Sequence, residues 1–416
     1  MLRVVETFSG IGSQVQALKN AGLNHSVVAT VEWEIGALYA YDIIHGGPQN
    51  LEMYRHHTRD SIVEHLSQYN LSSDGKSEIS IRGLKAMSMS QLKAILHSIE
   101  RNNNLVDINT VTAANLPDTD VLTYSFPCQD LSVSGHWHNN TGGINRDANN
   151  RSTLIWQIER ILIDLKESKK ELPSFLLMEN VNNILSHKHI DNFNEWQKFL
   201  ESLGYVNQLY TLDSRNFGIP QSRVRTYLIS VLAEDSDKKE KVNQFFFENN
   251  LQNVNLTEDK IAPISKFLRL DYSQEKYRNE AIESTPMYTP SRKKIYENNT
   301  ILATDHQAYD GIFAKTVTTK QDRHPNSGLI EYDKVILTDK NKHYRNLTPR
   351  ECFLLMGFDE EQYELLLTNN LNINKGRKIL PPSKLIKLAG NSIVVPVLEE
   401  IFKQIDGINS RILNNH

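Results

Sequence analysis

Side chains of three kinds, at the ends of apolar runs, could do chemistry. Cys128 lies in Ser125-Phe126-Pro127-Cys128-Gln129-Asp130-Leu131-Ser132, directly after the run Val121–Tyr124, with Pro127 fixing the backbone before it. Pro173–Met178 reads as a strand that ends in Glu179-Asn180-Val181, and Arg223 and Arg225 precede the run Thr226–Val231. A thiolate attacks electrophilic carbon, a carboxyl can share a proton, and an arginine can hold a carbonyl oxygen. A lone free cysteine is most often a small buried hydrophobe. The company that Cys128 keeps makes the nucleophile the better reading. A fourth group is Phe8-Ser9-Gly10-Ile11-Gly12 with Glu32-Trp33. The acid comes about 20 residues after a glycine turn, where it can accept from ribose hydroxyls, and the indole can stack on a base.

Alternating strands and helices must position these groups, and in an open α/β sheet ligands collect at the carboxyl ends of the strands. Leu2–Phe8 reads as a strand and Ser13–Ala21 as a helix stopped by Gly22, with a second strand at Ser26–Val31. Val15 stands where a dinucleotide fingerprint has its third glycine, so a nucleoside ligand with a carboxylate suits the turn better than a pyrophosphate. Tyr54–Arg101 is polar, with helical periodicity at Ser90–Ile99, and reads as a mostly helical insertion. Asp107-Ile108 precede the strand leading to Cys128. Gly135–Asn150 reads as a long loop of the kind that forms a lid, and Ser152 as the cap of a helix running to about Leu165. Asn194–Leu203 is a helix closed by Gly204. Arg223 and Arg225 alternate with apolar residues and so share one face. Beyond Asp235 the alternation fails, and Lys260–Tyr344 reads as an irregular, β-rich second domain. Thr348-Pro349-Arg350-Glu351 opens a helix with a capping box. Leu388–Ser392 reads as a turn, and Pro396 starts the last helix.

The 416 residues are 39% hydrophobic and 23% charged, which gives an ordinary globular chain with room for two domains. Two cysteines make no disulfide framework and fit a reducing cytoplasm. No run is long enough to span a bilayer, the N-terminus lacks the pattern of a secretory signal, and no metal site is expected. The net charge of −4 does not point to nucleic acid, but Lys260–Arg350 carries 16 Lys and Arg against 11 Asp and Glu. A basic segment on an acidic chain can meet a polyanion.

A cysteine hydrolase with His136 or His138 as base leaves the nucleoside-type pocket unused. A pyrimidine substrate uses everything. Cytosine C5 is a poor nucleophile, but thiolate addition at C6 makes the ring an enamine that can take an activated methyl. That addition needs a carboxyl at N3 and is helped by an arginine at O2.

In this order along the chain, Phe8-Ser9-Gly10-Ile11-Gly12, Glu32-Trp33, Asp107-Ile108, Phe126-Pro127-Cys128-Gln129, Arg151-Ser152-Thr153-Leu154, Glu179-Asn180-Val181, Gln221-Ser222-Arg223-Val224-Arg225, Arg345–Glu351 and Gly390-Asn391-Ser392 resemble the motifs of the DNA (cytosine-5)-methyltransferase family of bacterial restriction–modification type. The departures are the insertion after Ile44 and Thr316-Val317 where the family often has Thr-Leu. The resemblance implies a Rossmann-like, S-adenosylmethionine-dependent methyltransferase domain with a mixed, mainly parallel sheet. This domain would occupy 1–255, with an insertion at about 52–103, and be completed by 385–416. A smaller target-recognition domain would occupy 256–384.

The implied cofactor is S-adenosylmethionine, held by Phe8, Gly10, Ile11, Gly12, Glu32, Trp33, Asp107, Ile108, Pro127, Asn391 and Ser392. The implied catalytic set is Cys128, Gln129, Glu179, Arg223 and Arg225, acting on a cytosine flipped out of the duplex. Candidate DNA contacts are Ser132, Thr316, Val317, Lys293 and Arg323, with Lys294, Gln321 and Asn326 as further candidates for touching bases. The implied partners are double-stranded DNA and a restriction endonuclease acting on the same site without a stable complex. A cytoplasmic monomer is expected. The rivals are a transfer-RNA cytosine methyltransferase, which usually carries a reduced recognition region, and a catalytically silent DNA-binding homologue.

Overall fold

The structure, a computed structural model, describes residues 1–127, 131, 144–146, 151–254, 256–257, 260–287, 289–332, 344–374 and 376–413, with the backbone alone for 151, 152 and 374. Among the described residues, short runs bounded by glycines and polar turns make seven strands in the first 232 positions: β1 (Leu2–Thr7), β2 (His25–Val31), β3 (Val121–Tyr124), β4 (Phe175–Val181), β5 (Tyr205–Asp213), the two-residue β6 (Gln221–Ser222) and β7 (Val224–Leu232). Six of them form one sheet in the order β2-β1-β3-β4-β7-β5. β2, β1, β3 and β4 run parallel, and β7 runs antiparallel between β4 and β5. The carboxyl ends of the four parallel strands therefore share an edge with the amino end of β7, which carries Arg225.

Helices cover both faces. α1 (Ser13–Asn20), α2 (Ile35–Gly46), α3 (Arg59–Leu66), α4 (Ile81–Lys85) and α5 (Met89–Arg101) precede β3. α6 (Ile155–Glu167) and α7 (Ile190–Ser202) flank β4, and α8 (Ser236–Glu248) follows β7. The next segment holds α9 (Glu275–Glu283) and α10 (Pro290–Glu297) with the short strands β8 (Ile301–Ala303), β9 (Ala314–Lys315), β10 (Leu329–Glu331) and β11 (Tyr344–Asn346). After it come α11 (Pro349–Leu355), α12 (Glu360–Thr368), the hairpin β12 (Asn372–Asn374) and β13 (Arg377–Lys378), α13 (Pro382–Asn391) and α14 (Val395–Ile408). β8, β10 and β11 form a small sheet, while β9 pairs with β6. One apolar cluster runs through α1, α2, α3, α5, α11, α12 and α14, so Ile62, Leu66, Leu92, Ile95, Phe353 and Leu366 share a core. A second cluster, with Phe126, Ile158, Met178 and Trp196, fills the other face.

β4 ends in Glu179, Asn180 and Val181 as expected, their backbones pairing with Tyr227, Thr226 and Arg225 of β7. Other expectations are corrected. Leu388–Asn391 is the last turn of α13 and not a loop. A Cβ on Gly390 would lie within 2.4–2.6 Å of the backbone of Thr318 and Thr319, so this glycine serves close approach. The helix after Arg151 begins at Ile155, behind a 3₁₀ turn. The helix assigned to Asn194–Leu203 starts at Ile190. The second region carries two helices, α9 and α10, beside strands of two or three residues. The insertion is helical as expected, and its apolar residues join the main core.

Buried charge organises the entry to α11. Thr348 and Glu351 form the capping box. Both oxygens of Glu351 also accept from Arg345, at 2.8 Å each, and Oε1 accepts from Arg269 N–H at 2.8 Å. Arg345 and Glu351 are fully buried. Removing one partner leaves a buried charge uncompensated. Glu351→Ala is expected to cost about 3–5 kcal/mol of stability, read as a lower urea midpoint; a loss below about 1 kcal/mol would mean that other acceptors serve Arg345.

Candidate active site

The β1–α1 turn is built around a carboxylate. Glu6 is fully buried in the apolar run of β1. Its Oε1 accepts from Val15 N–H at 2.7 Å, in the first turn of α1, and its Oε2 from Tyr41 O–H at 2.6 Å. Burial pushes the Glu6 carboxyl up to about 7, against the pull of these two bonds. His45 Nε2 contacts Ile11 O at 2.9 Å, and burial, with Lys19 nearby, pushes this imidazole down to about 3. Gly12 has φ 78°, and a Cβ there would sit 2.3 Å from His45 Nε2, so no other residue fits. Gly10 differs: its Cβ position is open for 4 Å. Phe8 adopts φ 55°, left-handed and strained for an aromatic residue, as it delivers the turn.

The neighbouring loops converge on the same edge. Glu32 Oε2 accepts from Gly10 N–H at 3.0 Å and Oε1 from Glu34 N–H at 2.8 Å. Desolvation pushes the Glu32 carboxyl up to about 7, with the Glu34 carboxylate adding to the rise. Asn104 brackets Glu32, accepting from its N–H and donating to its C=O, both at 3.0 Å. Ser9, Thr30, Glu32, Tyr41 and Asn104 line a small polar crevice. Ser9 Oγ, buried beside it, has no hydrogen-bond partner among the described residues. Trp33 is half-buried against the main core. Asp107 caps the short turn Ile108–Thr110, and Ile108 is buried. Val106, just before it, has φ 62°, a second strained β-branched or bulky residue at this edge. Asn391 ends α13, and Ser392 leads to Ile393, whose N–H donates to Ser13 Oγ at 3.2 Å. The C-terminal motif therefore meets the start of α1.

On the other side, Glu179 and Arg225 are diagonal neighbours across β4 and β7, with Arg225 Nε 3.4 Å from Glu179 Oε1. Their side chains are 11% and 15% exposed, so the pair is largely desolvated at the sheet edge. Desolvation raises the Glu179 carboxyl, while Arg225 and then Arg223 pull it down. Arg223 itself donates to the carbonyls of Val317 at 2.9 Å, Gly390 at 3.2 Å and Ser392 at 2.7 Å. Asn180 Nδ2 donates to Phe126 O at 3.1 Å and Asn183 Nδ2 to Leu131 O at 2.6 Å. Pro127 is half-buried beside them. Cys128, Gln129, Ser132, His136, His138 and most of the 135–150 loop lie outside the described residues.

Among the candidate DNA contacts, Lys293 and Arg323 are more than half exposed, facing Glu297 and Asp322 respectively. Thr316 Oγ1 donates to Ser222 O at 2.8 Å, and the N–H of buried Val317 donates to Gln221 Oε1 at 2.8 Å. Gln321 and Asn326 are buried and brace their own loop. Sequence reasoning missed Glu6 and Asn104. An acid inside an apolar strand was the available signal for Glu6; Asn104 had none.

Because folding raises the Glu6 pKa, the folded chain holds this proton more tightly than the unfolded chain does. Its contribution to stability is present below the ordinary carboxylate range and is lost as pH rises through about 7. His45, with a lowered pKa, works in the opposite sense, so the variant is compared with the wild type at each pH. Glu6→Gln is expected to gain about 2 kcal/mol relative to wild type between pH 5 and pH 8 in urea unfolding. A constant difference would mean that Glu6 is ionised throughout.

Residues 86–407 match the family model described as C-5 cytosine-specific DNA methylase. The chain is 34% identical to the Type II methyltransferase M2.ScrFI of Lactococcus lactis subsp. cremoris, over 97% of this chain and 99% of that protein. It is 32% identical to the orphan methyltransferase M.SssI of Spiroplasma monobiae, over 98% and 97%. Among solved structures, the S. pombe Dnmt2 methyltransferase matches at 19% identity with a TM-score of 0.57, covering 98% of this chain and 100% of that one, a likeness of fold. With its motifs in order on a mainly parallel α/β sheet, the chain belongs to the C-5 cytosine-specific DNA methylase family.

Proposed function

We propose that this enzyme methylates C5 of one cytosine within a short duplex DNA sequence, as the methylase of a restriction–modification system, by base flipping and covalent addition of Cys128. The observation that carries the reading is the Glu179–Arg225 pair, desolvated and side by side at the edge to which β3 leads. The similarity to a Type II methyltransferase over nearly the full length supports the biological role.

The residues at the β1 and β2 ends suit S-adenosylmethionine. Open space at Gly10, the unpartnered Ser9 hydroxyl, the Glu32 carboxylate and the Asp107 carboxylate offer room and acceptors for an amino-acid tail, ribose hydroxyls and an adenine amine. Phe8, Ile11, Gly12, Trp33, Ile108, Pro127, Asn391 and Ser392 complete the holding set. When bound, S-adenosylmethionine supplies an electrophilic methyl carbon.

On the substrate side, Cys128 adds to C6 of the extrahelical cytosine, since neither C5 nor C6 is reachable in the stack. Glu179, its carboxyl raised by burial, shares its proton with N3 and accepts from the exocyclic amine. Arg225 donates to O2 and stabilises the charge that develops there. Once C5 carries the methyl, the C5 proton leaves to a base and the thiolate is expelled. Arg223 ties the β7 end to Val317 and Ser392, which fixes Arg225 in place. Gln129 and Ser132 flank the nucleophile in sequence. Residues 1–255 with 385–416 carry the chemistry, and 256–384 read the DNA in the major groove, with exposed Lys293 and Arg323 as contacts.

Tritiated methyl transfer to unmethylated plasmid, followed by bisulfite sequencing, tests the reading. Protected cytosines within one short motif are expected; labelling of transfer RNA instead would overturn the DNA substrate, and labelling of neither would favour a silent homologue. Cys128→Ser is expected to abolish turnover and keep cofactor binding, and robust methylation by it would remove the covalent mechanism. Glu179→Gln should slow turnover by about 10²–10⁴-fold; a near-wild-type rate would assign the N3 contact elsewhere.

A further inference from the structure

The insertion has no role in the chemistry above, yet it reaches the donor pocket. Between α3 and α4 the chain makes a tight turn. Leu71 O accepts from Ile79 N–H, and Ser72 Oγ donates to Ser77 O at 2.6 Å and accepts from Gly75 N–H at 2.9 Å. Ser72, fully buried, pairs along its backbone with the chain just after β2. Its N–H donates to Trp33 O and its C=O accepts from Ile35 N–H, each at 2.8 Å. From the opposite side, Lys384 and Lys387 of α13 donate to Ser73 O at 2.8 Å and Asp74 O at 2.7 Å. Lys387 also meets the Glu34 carboxylate at 2.6 Å. The segment is anchored from behind, because Asp42 of α2 accepts from Ser98, Arg101 and Asn102 at the end of α5.

At the near end of this turn, half-buried Asn70 donates from Nδ2 to Asp107 Oδ2 at 2.7 Å, while Asp107 Oδ1 accepts from Asn109 N–H at 2.9 Å. Oδ1 also accepts from Asn109 Nδ2 at 2.8 Å, so it is Oδ2, held once by Asn70, that keeps a further acceptor site. Holding a binding group in its bound orientation lowers the ordering cost that a ligand must meet.

We propose that residues 69–79 form the outer wall of the methyl-donor pocket and that Asn70 is a positioning residue, fixing the Asp107 carboxylate for the donor's nucleoside. The proposal rests on the reading of Asp107 as a donor contact.

Calorimetric titration of the full-length enzyme with S-adenosylhomocysteine tests it, using wild type, Asn70→Ala, Asp107→Ala and the double variant. Asn70→Ala is expected to weaken binding about tenfold, as for loss of a hydrogen bond to a charged group. The same variant should show a raised KM for the donor with kcat retained, and an unchanged melting temperature of the unliganded protein. Because Asn70 acts through Asp107, the double variant should bind no worse than Asp107→Ala. A Kd for Asn70→Ala within twofold of wild type, or losses that add in the double variant, would overturn the proposal. Unchanged binding by Asp107→Ala would overturn the pocket reading itself and this inference with it.

Discussion

The Glu6 carboxylate fills the place at the start of α1 where related nucleotide folds hold a phosphate. A helix N-terminus presents unpaired N–H groups and a partial positive charge, and when buried it needs an acceptor to meet them. Here the acceptor belongs to the chain, and Val15, the residue in place of the third glycine, makes the bond to it. The turn is thereby closed to a pyrophosphate from inside, while its outer side at Ser9 and Gly10 stays open. The same carboxylate takes the Tyr41 hydroxyl, and His45 closes on Ile11 O, so α2 is locked against the turn. α2 in turn holds α5 through Asp42, and α5 leads into Asn104, which brackets Glu32. One buried acid therefore starts a continuous set of contacts that ends at the candidate ribose-binding carboxylate.

A second set of contacts joins the candidate catalytic edge to the segment proposed for recognition. Gln221 is fully buried, donating to Leu355 O and accepting from Val317 N–H, both at 2.8 Å. Arg223 holds Val317, Gly390 and Ser392 by their carbonyls. None of these bonds reads a side chain on the far partner, so they fix backbone position and leave side-chain identity free. Val317 enters through its backbone groups and a buried apolar side chain. Gly390 is the complement of this arrangement, since any side chain there would push the Thr318–Thr319 backbone away.

Periodicity and punctuation made much of the fold legible. Val121–Tyr124 is the strand that its apolar run implied, and Thr348-Pro349-Arg350-Glu351 forms the capping box its residue types demand. Gly390 was misread because glycine signals both turns and close packing, and only the partner segment, more than 70 residues away, decides which. The insertion resisted reading for a similar reason. Its helices are short and polar outside, and the partners that order it, Asp42, Trp33 and the α13 lysines, are distant in sequence. Asn70 and Asn104 look like loop asparagines until Asp107 and Glu32 are placed beside them.

The spacing of the Glu179–Arg225 pair carries the last step of the argument. At 3.4 Å the arginine is close enough to pull the carboxyl down and too far for the 2.7–3.2 Å of a normal N–H···O bond. A closed, bidentate pair would leave a fully ionised carboxylate with its oxygens taken. An isolated buried carboxyl would be neutral and would accept poorly from an amine. The observed separation lies between these limits, with desolvation raising the acid and two arginines restraining it. Both groups keep hydrogen-bonding capacity, and the Arg225 bond to Val224 O at 2.8 Å fixes the guanidinium without using the carboxylate. A pyrimidine ring offering an acceptor at N3, a donor at the exocyclic amine and an acceptor at O2 is what such a half-open pair can hold without rearranging.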